Sequence, residues 1–215
     1  MHHTIKLFLL ILFSISTVFL LSAFLTVSHK PFRSHHTTGV TNVDNNSSCY
    51  ASSEGPVIEW RSGTKLKYSD FKADKKGSPG FAVATTASAF GYRLTDDGGK
   101  ISGSVFVVFY CDKSWWNPDF ILDEVLKHEQ LHFDICELFG RKLYQEILTL
   151  RRSNRLSIRN INRVYLKLEK QYSNYQDRYD KETDHSTNGQ QQLNWNNKIK
   201  RQLAAMSSYS NYHKF

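Results

Sequence analysis

The sequence predicts an α+β fold, with an antiparallel β-sheet from the N-terminal half packed on helices from the C-terminal half. Residues 56–110 contain short runs of Val, Thr and aromatic residues separated by turn residues, which is typical of strands. Residues 118–206 carry apolar residues at three- and four-residue steps, the spacing of one helix face. Because the strands come first and the helices follow, the chain fits the α+β class.

Length and charge are consistent with one domain and an N-terminal extension. The chain has 215 residues, with 28 Lys and Arg against 20 Asp and Glu, and a formal net charge of +8. Such a balance is compatible with anionic partners. The basic residues are scattered, however, and the densest stretch, Arg141 to Arg163, is interpreted as a solvated helix pair with its connection. None of the recognised nucleic-acid-binding motifs is present, so we predict no nucleic-acid partner.

The N-terminal segment is unlike the rest of the chain. Lys6 precedes an uncharged run of 21 residues from Leu7 to Val27. This pattern predicts that residues 1–30 are a cleaved signal peptide or an uncleaved membrane anchor, and both alternatives stay open. Either one predicts an exported chain, periplasmic or otherwise extracytoplasmic. Residues 31–55 are polar and aperiodic, as in a flexible linker, so the folded domain is expected over residues 56–210.

Four segments of the N-terminal half are predicted strands. Residues 57–60 and 64–68 form short strands around a Ser-Gly turn, and residues 81–94 form a longer one. Asp96-Asp97-Gly98-Gly99 is a strong hairpin turn. Residues 101–110 are apolar on both alternating faces, so this strand is expected at the centre of its sheet.

Three predicted helices follow. The first covers residues 118–151, because Asn117-Pro118-Asp119 supplies an N-cap, a favourable first residue and an acidic first turn. The second runs from about Ser157 to Asp180 and the third from Gln190 to Met206, each with a periodic apolar face. A basic turn around Ser153-Asn154 joins the first two helices, which favours an antiparallel helix hairpin.

The first helix carries the motif His-Glu-x-x-His at residues 128–132. Residues four apart lie on one helix face, so His128 and His132 are spaced to bind one metal ion, for which zinc is expected. Glu129 lies beside the metal, where it serves as general base for a water that zinc acidifies to a pKa of about 7. Both histidines fall on the core-facing stripe, where unpaired ionisable groups are costly. The bare five-residue pattern also occurs by chance without a metal.

The helix hairpin predicts where a third ligand lies. A catalytic zinc usually takes three protein ligands. If the hairpin turns near residue 154, residues equally far from the turn face each other. To within one helical turn, His128 then faces Asp180, and His132 faces Gln176. The second helix therefore brings its C-terminal end to the level of the metal.

Three residues at that end are candidates for the third ligand. His185 is preferred, because a loop at the end of the helix can aim its imidazole at the metal. Asp180 is the alternative, with a second possible role in orienting a ligand histidine. Glu182 is also able to ligate zinc, although a solvated charge at a helix end explains it equally well. Tyr179 is a candidate donor to an oxyanion.

The three cysteines suggest one disulfide and one core residue. Cys49 and Cys111 are candidates to pair in an oxidising compartment, although sequence alone does not show that they are close. Cys136 lies one turn after His132 on the same helix and is interpreted as a small core residue. Its alternative role is that of a fourth ligand in a closed structural zinc site.

Several segments together resemble DUF922, a group of exported bacterial proteins described as predicted secreted zinc-dependent proteases. The resemblance covers roughly residues 56–200. Its most specific part is the string His-Glu-Gln-x-His-Phe-Asp at residues 128–134, and the family's Tyr-Asp-x-x-Thr-x-His pattern matches residues 179–185. The weaker matches are Ile58-Glu59-Trp60, Leu66-x-Tyr68-x-Asp70-Phe71 and Ser114-Trp115.

Two positions depart from the family pattern. Ser186 stands where the family has Gly after the second pattern, and Leu131 stands where Gly is usual inside the metal motif. Neither departure removes a candidate ligand. The resemblance implies a zincin-like zinc site held by His128 and His132 with His185 or Asp180.

The function expected from these features is hydrolysis of peptide bonds by an exported zinc metallopeptidase. Its substrate is a peptide or protein, its base is Glu129, and residues 7–27 are a possible membrane tether. The alternative is a non-catalytic envelope binding module in which zinc is structural. A closed four-ligand shell distinguishes the alternative from an enzyme, which keeps one metal position open.

Overall fold

The computed structural model describes residues 47–74 and 82–215, and it confirms the α+β class. The strands lie in the N-terminal half and three long helices in the C-terminal half. The strands are β1 (Tyr50–Ser52), β2 (Gly55–Glu59), β3 (Ala84–Thr85), β4 (Ser88–Asp97), β5 (Lys100–Tyr110) and β6 (Trp115–Trp116). The helices are α1 (Asp123–Arg152), α2 (Ile158–Thr183) and α3 (Gly189–Ala205), with short 3₁₀ turns at Tyr68–Asp70 and Ser207–Tyr209.

The main sheet has four antiparallel strands in the order β1-β2-β5-β4. The strand predicted to be central, β5, lies between β2 and β4, as expected from its two apolar faces. The predicted hairpin turn also forms, because Asp97 pairs with Lys100 across Gly98 and Gly99. These two glycines have φ of 60° and 92°, values that side chains with a Cβ disfavour.

Helix α1 packs directly on one face of β5. Val105, Val107 and Phe109 of that face belong to the main core with the buried residues of all three helices. A Cβ at Gly140 would lie 2.3 Å from Cγ2 of Val107, so glycine is what lets helix and sheet approach. The close packing explains why a glycine is tolerated inside a 30-residue helix.

The predicted linker over residues 31–55 is too long. Residues 50–52 form β1, which pairs with β2, and the preceding Cys49 is joined to Cys111 by a disulfide with Cα atoms 6.4 Å apart. The folded part therefore includes at least residues 47–55, ahead of the predicted start at residue 56. Their polar composition suits an edge strand that is exposed along its length.

The strand predicted over residues 64–68 is wrong. This segment has no sheet partner and leads into the 3₁₀ turn Tyr68–Asp70. The backbone N–H of Leu66 donates instead to the Gln130 side chain on α1, at 2.8 Å. The alternating pattern of the segment arises because Leu66 is a buried core residue between two more exposed lysines.

Helix α1 begins at Asp123, five residues after its predicted start. Asn117 makes a local turn, in which its Oδ1 accepts from the backbone N–H of Asp119 at 3.2 Å. Phe120 is held in this turn because its carbonyl accepts from the Trp116 indole at 2.6 Å. Asn and Asp favour such turns as strongly as they favour helix caps, so the local signal was ambiguous. The predicted start of α2 at about Ser157 is confirmed, and the Ser157 side chain caps the helix by accepting from the N–H of Asn160.

The predicted signal or anchor over residues 7–27 and most of the predicted linker lie outside the described residues. Within residues 47–74 and 82–215, none of the helices is both long and apolar enough to cross a membrane.

The C-terminal residues of the chain pair with β5 beyond the end of β2. Gly103 exchanges two backbone hydrogen bonds with Phe215, at 3.1 and 2.8 Å, and the N–H of Val105 donates to the carbonyl of Tyr212 at 3.0 Å. Tyr212 also donates its hydroxyl to the buried Glu137 carboxylate at 2.5 Å. The segment therefore covers an otherwise open edge of the central strand.

Tyr212→Phe is expected to destabilise the protein by about 1.5–3 kcal/mol, because Glu137 loses a charge-assisted hydrogen bond. Burial raises the pKa of Glu137 to about 7, while the hydrogen bonds from Tyr212 and Arg141 oppose that rise by supporting the carboxylate. The loss should therefore be largest above pH 7, where the acid is ionised, and smallest below pH 4.5, where it is protonated.

Urea unfolding of both proteins across this pH range measures the effect, and Tyr209→Phe on the neighbouring 3₁₀ turn is the matched control. An equal loss at both ends of the pH range would contradict the role given to the Tyr212 hydroxyl.

Candidate metal centre

The hairpin of α1 and α2 brings the two histidines of the motif against the residues predicted to face them. His128 Nε2 lies 3.1 Å from Asp180 Oδ1, and His132 Nδ1 lies 2.8 Å from Gln176 Oε1. Both facing pairs deduced from the turn position are therefore confirmed. Two regular helices with a known turn determine this register, because each residue advances both helices by the same rise.

Three side chains converge to form a candidate metal site. The Nε2 atoms of His128 and His132 are 3.1 Å apart, and Asp180 Oδ1 lies 3.1 and 2.9 Å from them. All three ligand atoms lie within 4.8 Å of one another. Ligands on a tetrahedral ion at about 2.0–2.1 Å are themselves about 3.4 Å apart. These residues therefore could hold a metal ion after small side-chain shifts.

Two glutamines orient the imidazoles. Gln192 Oε1 lies 3.0 Å from His128 Nδ1, and Gln176 Oε1 lies 2.8 Å from His132 Nδ1. The amide nitrogens face acceptors, since Gln176 donates to the carbonyl of His132 and Gln192 to Asn196. The amide oxygens must therefore accept from Nδ1–H. This tautomer leaves both Nε2 atoms directed at Asp180, as ligation requires.

The candidate metal site holds ionisable side chains that are buried. Burial alone lowers the pKa of His132, but the Asp180 carboxylate outweighs it and raises the pKa of His132 to about 9. Burial would raise the pKa of Asp180, yet the two histidines hold the pKa of that carboxyl well below its usual range. Asp180 is thus an anion placed to bind a cation, either protonated His132 or a metal ion.

Glu129 is buried beside the triad with an unsatisfied oxygen. It is 5% exposed, and among the described residues its Oε2 has no hydrogen-bond partner. The segment preceding β4 is close by, since the Thr86 hydroxyl donates to the carbonyl of Glu129 at 3.3 Å. A buried carboxylate oxygen without a partner is costly, and in native structures it calls for an ion, a water or a catalytic role.

Tyr179 packs against both histidines. Its ring stacks on His128 with centroids 4.5 Å apart and meets His132 edge-on at 4.8 Å. Its hydroxyl donates to the carbonyl of His128 at 3.2 Å and is within 2.8 Å of Gln192 Nε2. The hydroxyl is thus occupied in holding α1 and α3 together. This arrangement favours a positioning role over the predicted role as an oxyanion donor.

The preferred third ligand, His185, does not join the cluster. It is exposed and follows the end of α2, whereas Asp180 lies a full turn earlier and faces His128. Glu182 is also outside, because its carboxylate accepts from the Trp195 indole at 2.8 Å. Cys136 is a buried free thiol outside the ligand group, which agrees with the core role. The geometry therefore favours Asp180, the alternative.

The residues that end α2 adopt backbone angles that favour glycine. Asp184, His185 and Ser186 all have positive φ, with Ser186 at 81°. Glycine adopts such values without the penalty that a Cβ brings.

Ser186→Gly is therefore expected to stabilise the protein by about 1 kcal/mol, measured by urea unfolding. Ser210→Gly is the control, because Ser210 has a φ of −78° and glycine relieves nothing there. Equal effects of the two substitutions would contradict the strain assigned to Ser186.

Gln176→Leu is expected to weaken metal binding by about 10–100-fold, because it removes the acceptor that orients His132. Competition with a chromogenic zinc chelator measures the affinity. Gln171→Leu, at an exposed position on the same helix, is the matched control and should bind zinc like the parent protein. Unchanged affinity in Gln176→Leu would show that the imidazole needs no such partner.

Residues 112–186 match the model of a family described as a bacterial protein of unknown function, DUF922. The matched stretch includes both histidines, Glu129 and Asp180. No curated protein and no solved structure matched the chain. Gln192 lies beyond the match and was missed by sequence reasoning, since nothing in its Gln-rich surroundings indicates which glutamine reaches the metal ligands.

Proposed function

For a chain whose residues 112–186 match the DUF922 family model, we propose the function of an exported zinc metallopeptidase. The observation that carries the proposal is the meeting of His128, His132 and Asp180 beside Glu129, whose Oε2 is buried and unsatisfied. A two-histidine, one-carboxylate set is a known donor set of catalytic zinc sites. The spacing of the motif and the burial of the base both fit this chemistry.

Five side chains form the proposed metal site. His128, His132 and Asp180 hold the ion, and Gln192 and Gln176 keep the two imidazoles in the ligating tautomer. Bound zinc supplies a Lewis acid that polarises a carbonyl and acidifies water.

Glu129 is the proposed general base. Its unsatisfied carboxylate oxygen takes a proton from the attacking water and can pass it to the leaving amine. Burial shields this carboxylate from bulk solvent, and the Thr86 hydrogen bond to its backbone fixes the position of the β3–β4 connection above it. Substrate carbonyls are expected to approach from this side, because α2 and α3 cover the other face of the histidines.

A structural metal in a non-catalytic binding module is the second candidate. One observation favours it: His128 is 3% exposed and Asp180 7% exposed, so two of the three ligands are closed off from solvent. A structural site uses four protein ligands. Glu129, which follows His128 on α1 and has an unsatisfied oxygen, is the candidate to complete such a shell, and in that case its oxygen is a ligand rather than a base.

Export is part of the proposal. The Cys49–Cys111 disulfide supports it, because structural disulfides belong mainly to oxidising compartments outside the cytoplasm. The apolar run at residues 7–27 is the proposed export signal or membrane tether.

The test is metal content by elemental analysis of the purified full chain, followed by a peptide-library digest. About one zinc per chain is expected in the parent protein and none in His128→Ala. Cleavage that a chelator abolishes and zinc restores supports the enzyme. Stoichiometric zinc with no cleavage of any peptide, and unfolding on chelation, would establish the structural alternative. Absence of zinc after chelator-free purification would overturn both.

A further inference from the structure

A groove on the other side of α1 has no part in the proposed function. It has a volume of about 1050 Å³ and lies between the segment after β2, helix α1, and α3 with the residues that follow it. Gln130 and Asp134 line it, and at about 100° per residue they point away from His128 and His132. The groove is larger than the usual small-ligand pocket of about 300–1,000 Å³.

The floor of the groove is apolar. Leu66, Leu131 and Ile199 reach it from three different walls, and each is a buried core residue. Half-buried Trp60 and Leu203 extend this surface. An apolar floor recessed between helices is the shape that accepts side chains of a bound peptide.

The acidic residues that line the groove already have partners. Asp134 accepts from the Trp60 indole at 2.8 Å and from Gln130 at 3.1 Å. Asp123 accepts from the Tyr68 hydroxyl at 2.8 Å. Lys65 attracts the Asp134 carboxylate electrostatically, but neither carboxylate forms an ion pair with a lysine of the groove.

The rim carries three lysines whose ammonium groups form no ion pair. Lys65 stands on the segment after β2, Lys127 on α1 and Lys200 on α3, and all three are exposed. In the part of the chain that the structure describes, none of the three ammonium groups makes an ion pair or a hydrogen bond. Arg141, by contrast, is bound to Glu137 and to the carbonyl of Leu203. Three unpaired ammonium groups thus surround an apolar floor.

We propose that this groove binds an acidic peptide segment of a partner protein, with its apolar side chains on the floor and its carboxylates against the three lysines. The positive charge of the three lysines favours an anionic ligand, and the recessed apolar floor favours a ligand with protruding apolar side chains. A flat anionic bilayer would contact only the protruding residues of the rim, because the floor of the groove is recessed. Peptide binding in this groove requires neither a metal nor hydrolysis, so its test is independent of the proposed function.

The first test is fluorescence anisotropy of the full chain with a labelled peptide of about 12 residues composed of Glu and Leu. A peptide with Lys in place of Glu is the matched ligand control. The groove variant is the triple substitution Lys65→Glu, Lys127→Glu and Lys200→Glu. The control variant makes the same change of net charge on exposed α2 positions, through Lys167→Glu, Lys170→Glu and Lys181→Glu.

The Glu-Leu peptide is expected to bind the parent protein and the α2 variant alike, and to bind the groove variant at least about tenfold more weakly. A second, charge-neutral variant, Ala204→Trp, should also weaken binding because it fills the groove. Ala205→Trp, at the next exposed position but outside the groove, should not. Circular dichroism checks that each variant is folded.

Three results would overturn the inference. The peptide does not bind, or the groove and control variants bind it equally, or the Lys-Leu peptide binds as well as the acidic one. Vesicles of phosphatidylglycerol serve as a further probe. Binding of the vesicles through the three lysines, without binding of the peptide, would replace the peptide with an anionic membrane surface.

Discussion

Asp180→Ala is expected to remove zinc from the protein and to weaken its binding by more than about 100-fold. Loss of a residue that only orients a ligand already costs about 10–100-fold, and Asp180 is placed to contribute a ligand atom itself. The carboxylate also supplies the only negative charge that contacts both ligand nitrogens in the described part of the chain. Elemental analysis and zinc titration of the purified variant measure the loss.

His185→Ala is the matched variant, because His185 was the other candidate for the same ligand position. It should keep about one zinc per chain, since its side chain is exposed and outside the cluster. The reverse outcome, with zinc retained in Asp180→Ala and lost in His185→Ala, would restore His185 as the ligand. It would also mean that the loop after α2 folds over the site when metal binds.

Glu129→Gln is expected to lower the rate of peptide hydrolysis by about 10²–10⁴-fold, the usual contribution of a general base. The amide has the same shape as the carboxylate but does not accept the proton. Zinc content should be unchanged, because the three candidate ligands are untouched. The rate with a peptide found in the library digest, and the zinc content of the same sample, are measured together.

Glu124→Gln is the control for this variant, since it makes the same change at an exposed position on the same helix. It should retain full activity. An active Glu129→Gln protein would remove Glu129 from the role of base. Loss of zinc from Glu129→Gln would instead identify Glu129 as a ligand and favour the structural metal.

The positions of the helices and their register were predictable because the information is local. Helix α2 begins next to Ser157, where its periodic pattern places the start, and the turn near residue 154 sets which residues of α1 and α2 meet. From that turn alone, His128 pairs with Asp180 and His132 with Gln176, as the structure bears out. Because the rise per residue is regular, such a count locates the facing residues to within about one turn.

The start of α1 and the strand at residues 64–68 were predicted wrongly, because each local sequence pattern is compatible with two structures. Asn117-Pro118-Asp119 has the composition of a helix start and also of a turn, and the side chain of Trp116 decides for the turn. The alternation around Leu66 resembles a strand, but the backbone there finds its partner on Gln130 of α1. The partner of Leu66 lies 64 residues further along the chain, and Trp116 belongs to β6, which pairs with the distant β3. The composition of the short segment alone therefore did not decide either case.

The sequence by itself determined the α+β class, the central strand, the helix hairpin, and the two histidines with a glutamate beside them. These follow from periodicity and spacing within single elements or across one short turn. Tertiary structure decided that Asp180 rather than His185 completes the cluster, that Gln192 orients His128, and that Cys49 joins Cys111 across 62 residues. The physical reason is that these contacts depend on how separate elements dock, and the docking is set by packing of the whole core rather than by any local spacing.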